Sequence, residues 1–84
     1  MREISRRSNL EALARIYLYE QNENVVYNRE NAASYSYEKG RLVGFCMACE
    51  YDIDETSDYL KIKLRTGTTI LEIDKIKFFD RINR

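Results

Sequence analysis

The chain has 84 residues, 44% of them apolar and 33% charged, with 14 basic against 14 acidic side chains and a net charge of zero. This is the composition of a folding, globular chain rather than a disordered one, and the length allows only a modest core. The absence of histidine removes the ordinary general base near neutrality, the Ser-His and Cys-His pairs and any imidazole metal ligand, while the longest uncharged apolar run, Leu42 to Cys49, is too short to cross a bilayer.

In chain order, residues 1–7 read as a basic arm with Arg6 and Arg7, anchored only by Ile4. Ser8-Asn9-Leu10-Glu11 then matches the capping box, in which the serine hydroxyl and the glutamate carboxylate satisfy two otherwise orphaned backbone donors. The spacing of Leu10, Leu13, Ala14, Tyr17 and Leu18 predicts a helix over 9–21, stopped by the polar run Gln21-Asn22-Glu23-Asn24. Val25-Val26-Tyr27 is too short to classify and is either a linker over the core or an early turn of the next helix.

The stretch 31–53 is the one the other segments are organised around. Tyr35, Leu42, Cys46, Cys49 and Ile53 recur at helical steps, with Phe45 and Ala48 widening the face, so a single long central helix is expected. Gly40 and Gly44 oppose it, since each costs about 1 kcal/mol relative to alanine in a helix interior. Spaced four apart, they form a smooth patch on which another backbone can lie closely.

Residues 54–58 follow as an acidic loop. Asp52, Asp54 and Asp58 supply hard oxygen ligands at alternating positions, but the glycine and the terminal glutamate of a calcium-binding loop are missing, and no metal or other cofactor is inferred. From Leu60 to Arg65 apolar residues alternate with Lys61, Lys63 and Arg65, the pattern of a half-buried strand. Thr66-Gly67-Thr68 supplies a turn and Thr69 to Ile73 a returning strand, so 59–74 reads as a β-hairpin and 75–84 as a tail or short helix. The resulting expectation is an α+β fold in one domain, with an N-terminal helix and a long central helix packed antiparallel and a C-terminal β-hairpin against them.

The one chemical motif is Cys46-Met47-Ala48-Cys49. A redox pair belongs at a helix N-terminus, and a zinc site needs four ligands, which a chain with two cysteines and no histidine supplies only if two copies meet. The expected role is that of two small buried hydrophobes. No catalytic residue and no small-molecule substrate are inferred, and no stretch resembles a known family.

Charge is segregated along the chain. Up to Arg15 four arginines face two glutamates, from Ile16 to Asp58 three basic groups face nine acidic ones, and from Tyr59 onward seven basic groups face three acidic ones. Such a layout suits self-complementarity, within one chain or between two. The functional expectation is therefore a non-enzymatic, cytoplasmic protein-interaction module, a homodimer or a partner-binding regulator or inhibitor, with an interface at Tyr37, Gly40, Val43, Gly44, Met47 and Tyr51. The alternative is a nucleic-acid-binding regulator that contacts phosphates through Lys61, Lys63 and Arg65 on one strand face, joined by Arg6 and Arg7.

Overall fold

A computed structural model of the chain describes residues 3–26 and 32–84. The order of elements is α1 (Glu3–Val26), α2 (Ala32–Ala48), β1 (Tyr51–Glu55), β2 (Tyr59–Leu64), β3 (Thr69–Asp74) and α3 (Lys75–Ile82). The chain falls into two compact units, Met1–Phe45 and Cys46–Arg84, with the boundary inside α2. No helix among the described residues is long and apolar enough to cross a membrane.

In the first unit, α1 buries Leu10, Ala14, Tyr17 and Leu18, at steps of four, three and one, which together make one stripe of the helix. The helix is longer than its capping signal implies. It runs through the expected basic arm, so Ser8 lies inside it and caps nothing. Nothing upstream of Ser8 breaks a helix, since the arm has neither proline nor glycine, and adding residues to a formed helix is far easier than starting a new one. Nor does the polar run stop it. Asn22 continues the buried stripe at 4% exposure. On α2, Leu42 and Cys46 are buried and Tyr35 half-buried. The rings of Tyr17 and Tyr35 meet with centroids 5.6 Å apart and hydroxyls at 3.3 Å, and the Gln21 side-chain amide donates to the Tyr17 hydroxyl at 3.2 Å. The segment 27–31, which includes Tyr27 and the expected start of the central helix at Asn31, lies outside the described residues.

The central helix does not reach Ile53. It ends at Ala48, and Glu50 adopts φ 60° with its N–H donating to the Met47 carbonyl at 3.2 Å. A left-handed residue at this place terminates a helix, usually as glycine; with glutamate it costs about 1 kcal/mol. Beyond it the backbone extends into the strand β1, which takes up the expected helix end 51–53 and the first two residues of the expected acidic loop, Asp54 and Glu55, and leaves 56–58 as the turn. The expected two-strand hairpin is thus part of a three-stranded antiparallel sheet in the order β1-β2-β3, and the architecture is helix, helix, sheet, helix. A two-stranded hairpin is marginal by itself, and the third strand supplies the missing hydrogen bonds and apolar face.

Register explains the sheet. Tyr51, Ile53 and Glu55 pair with Leu64, Ile62 and Leu60, and the last two pair in turn with Leu71 and Ile73. All of these share one face, on which Leu60, Ile62, Leu71 and Ile73 are buried. Each such aliphatic side chain contributes on the order of 2 kcal/mol on full burial. On the β3 side Ile62 pairs with Leu71 and Lys63 with Thr69, so Ile70 is an extra residue that makes a bulge. The β2–β3 turn closes through the Leu64 N–H to the Thr68 carbonyl at 2.8 Å, with Gly67 at φ 102°, a conformation that glycine takes without steric cost.

The segment from Lys75 is a helix. Asp74 caps it, accepting from the Lys77 N–H at 3.1 Å, and α3 lies against β2 and β3. Lys75, at its start, is 5% exposed. Its ammonium donates to Glu55 at 2.8 Å and to the Thr56 carbonyl at 2.9 Å, while its N–H donates to the Asp58 carbonyl at 3.0 Å. This one residue ties the β1–β2 turn to the β3–α3 junction.

Candidate interaction site

The outward side of α2 follows from helical geometry. Tyr37, Gly40, Gly44 and Met47 stand three, four and three residues apart, so they line one face, opposite the buried Leu42 and Cys46. All four are exposed, Tyr37 at 64% and Met47 at 69%. A methyl group built at Gly40 or Gly44 would meet nothing within 4 Å, so the groove between the two large side chains is open. Arg41 borders it, held by Glu38 at 3.3 Å and lying 5.8 Å from the Tyr37 ring centroid. Of the other expected interface residues, Val43 is half-buried on α2, and Tyr51 stands at the start of β1 on the apolar side of the sheet rather than on the helix.

The expected phosphate-contacting side chains are placed differently. Lys61, Lys63 and Arg65 do share the polar side of the sheet, but β1 and β3 bring carboxylates to both flanks. Asp54 and Asp52 stand opposite Lys61 and Lys63, and Glu72 stands opposite Lys61 on the other side. Lys63 donates to Asp54 at 3.2 Å, Arg65 pairs with Asp52 at 3.2 Å, and the Lys61 ammonium lies 4.3 Å from the Tyr59 ring centroid. The Tyr59 hydroxyl donates to Asp54 as well, at 3.5 Å. Arg6 and Arg7 lie on α1, in the first unit.

The acidic segment is likewise engaged. Asp52, Asp54 and Glu55 each face a lysine or arginine, and among the described residues no group of three or more cysteine, aspartate or glutamate side chains is placed to hold a metal ion. Cys46 sits in the last turn of α2, buried, with its thiol pushed up from the ordinary 9.0 to about 11 by burial and, secondarily, by Cys49. Cys49 lies past the end of the helix in the turn, half-buried. A thiol held neutral to that degree is a poor nucleophile at neutral pH. A recess lined by Lys77, Asp80, Arg81 and Arg84 is an open feature of α3 and the C-terminus.

Sequence reasoning missed the buried Lys75 altogether. Lys75 and Glu55 are 20 positions apart, and nothing in either local pattern links them. By contrast, the acidic flank of the sheet had a readable signal. Tyr51-Asp52-Ile53-Asp54 alternates apolar with acidic at the same period with which Leu60 to Arg65 alternates apolar with basic. No protein-family model, no curated protein and no solved structure matches the chain.

Proposed function

We propose that the chain is a non-enzymatic protein-interaction module that pairs with a second copy of itself through the outward side of α2. The observation that carries this reading is the open glycine groove of Gly40 and Gly44 between the exposed Tyr37 and Met47. Two helix glycines together cost about 2 kcal/mol, and close approach of another backbone offsets that cost. The spacing is also self-complementary. If two copies of α2 cross antiparallel with the two-fold axis level with Leu42, Gly40 of one meets Gly44 of the other and Tyr37 meets Met47. An isologous interface requires this kind of reciprocity, and a thioether against an aromatic ring is a favourable contact.

Lys61, Lys63 and Arg65 support the nucleic-acid reading less. A phosphate approaching them would have to displace Asp54 from Lys63 and Asp52 from Arg65 and would meet Asp54 and Glu72 on either side of Lys61, which removes most of the electrostatic gain such binding depends on.

Light scattering across micromolar concentrations tests the reading. The expected mass is twice that of the 10.0 kDa chain. Gly44→Leu, which fills the groove without disturbing α2, shifts the protein to single chains. A mass of one chain at every concentration overturns the proposal.

A further inference from the structure

The outward side of α3 carries a charge arrangement that the fold does not explain. Lys77, Asp80, Arg81 and Arg84 stand three, one and three residues apart, so they share one side of the helix, and all four are exposed. Lys75, Phe78, Phe79 and Ile82, buried or half-buried, take the opposite side, where α3 lies against β2 and β3. The four outward residues line one open recess of about 240 Å³.

Their charges work against the helix. Lys77 and Arg81 stand four apart, a spacing at which like charges destabilise a helix. The helix macrodipole accounts for Arg81 in the last turn but opposes Lys77 in the first. Asp80 lies between the two and is held instead by Arg84 at 3.0 Å. Among the described residues neither the Lys77 ammonium nor the Arg81 guanidinium has an ion pair or a hydrogen bond. Other cations of the same unit are met, Lys63 by Asp54, Arg65 by Asp52 and Lys75 by Glu55.

Size and charge name the ligand. The recess is smaller than the range of about 300 to 1,000 Å³ that drug-sized molecules occupy, and charged side chains form its walls, so what it suits is compact and anionic. Two unpartnered cations match the charge of a phosphate monoester, about −1.5 to −2 at neutral pH. A guanidinium engages two phosphate oxygens at once, and an ammonium engages a third as a point charge. Phe78, Phe79 and Ile82 are turned to the sheet, and the exposed Ile76 lies outside the recess, so no side chain there stacks on a base or enters a bilayer.

We infer that the recess on α3 binds the phosphate group of a small molecule, with Arg81 and Lys77 holding its oxygens and Arg84 neutralising Asp80 beside it. This rests on α3 alone and is independent of pairing through α2.

The test is a titration of the full chain with inorganic phosphate and with glycerol 3-phosphate at constant ionic strength, followed by amide shifts. Saturable changes centred on residues 77–84 are expected, and the tighter of the two probes tells a free anion from a phosphate ester. Arg81→Gln weakens binding about fivefold. Asp80→Asn tightens it about threefold, a direction that loss of structure does not give. Arg15→Gln, which removes an exposed guanidinium on α1, leaves it unchanged. No saturable change, changes centred elsewhere, or equal weakening by Arg81→Gln and Arg15→Gln overturns the proposal. So does binding about tenfold tighter per phosphate, at the same amides, of an oligonucleotide or of vesicles rich in phosphatidylserine, which would make a polyanionic surface the occupant.

Discussion

The polar side of the sheet and the outward side of α2 are both exposed, but they present different unfinished business to solvent. On the sheet Lys63 is answered by Asp54 and Arg65 by Asp52, and Lys61 stands between Asp54 and Glu72 with its ammonium over the Tyr59 ring, so that face gains little from covering its charges. On α2 the exposed side chains are a tyrosine and a methionine around two glycines that support nothing of their own helix. Burying that groove returns apolar area and offsets a propensity cost, whereas covering the charged lattice requires breaking pairs. The two surfaces therefore differ in kind: an open groove beside apolar side chains on the helix, a lattice of opposed charges on the sheet.

The strongest way to break the comparison is to remove the most buried of the sheet's ion pairs. Lys75→Met keeps the length of the side chain but leaves the Glu55 carboxylate and the Thr56 carbonyl without the ammonium that now contacts both at under 3 Å. Breaking a buried pair by deleting one partner costs about 3 kcal/mol, so urea denaturation should show a loss of that order. A change near zero would mean that the charges of this unit are satisfied by solvent rather than by one another.

The buried side of α2 offers a pH test of about half that size per unit. The Cys46 thiol stays neutral to about 11 in the folded chain and to its ordinary 9.0 in the unfolded one, so the folded chain holds the proton more tightly. Its contribution is present in full below pH 9 and is lost as pH rises toward 11, with a slope of up to about 1.4 kcal/mol per pH unit. The measurement is therefore the difference in alkaline slope between the wild-type chain and Cys46→Ala, and identical slopes would place the thiol in contact with water.

On the outward side the sign reverses. Gly40→Ala and Gly44→Ala meet no neighbour in the single chain, so each should raise the stability of the unpaired protein by about 1 kcal/mol through helix propensity. The same substitutions should weaken self-association, because a methyl group holds the second helix away. Thermal unfolding at low concentration and sedimentation at high concentration separate these effects. If both rise together, the groove is not a contact surface.

The legibility of these two regions from sequence was uneven, for physical reasons. Strand β2 and its turn were readable because the period-two pattern of Leu60 to Arg65 and the glycine at 67 are local signals for local structure. The outward glycines were readable too, since their cost in a helix asks for an explanation wherever they occur. Strand β1 was not, because the element that ends α2 is Glu50 in a left-handed conformation, a position where sequence reasoning looks for glycine. Without that stop, Cys49 and Ile53 extend the apolar helical spacing and the alternation in Tyr51 to Asp54 passes unnoticed. The beginning of α3 was hidden differently: Asp74 is a good cap, but the helix it starts is only eight residues long and leaves Ile76 61% exposed, which blurs its period. Pairings such as Lys75 with Glu55 depend on the whole sheet being assembled, and no local window contains them.

The smallest effect is expected where the charges are most visible. Arg65 and Asp52 pair at 3.2 Å with side chains 61% and 57% exposed, so solvent screens them and ordering two long side chains consumes much of the gain. Asp52→Asn should change stability by no more than about 0.5 kcal/mol, and that difference should vanish in molar salt, where the screening length falls to about 3 Å. If Asp52→Asn leaves the denaturation curve in place, water serves Arg65 as well as the carboxylate does. If instead it destabilises the chain by as much as Lys75→Met, the aspartate belongs to the fold, and the contrast between an answered sheet and an unanswered helix fails with it.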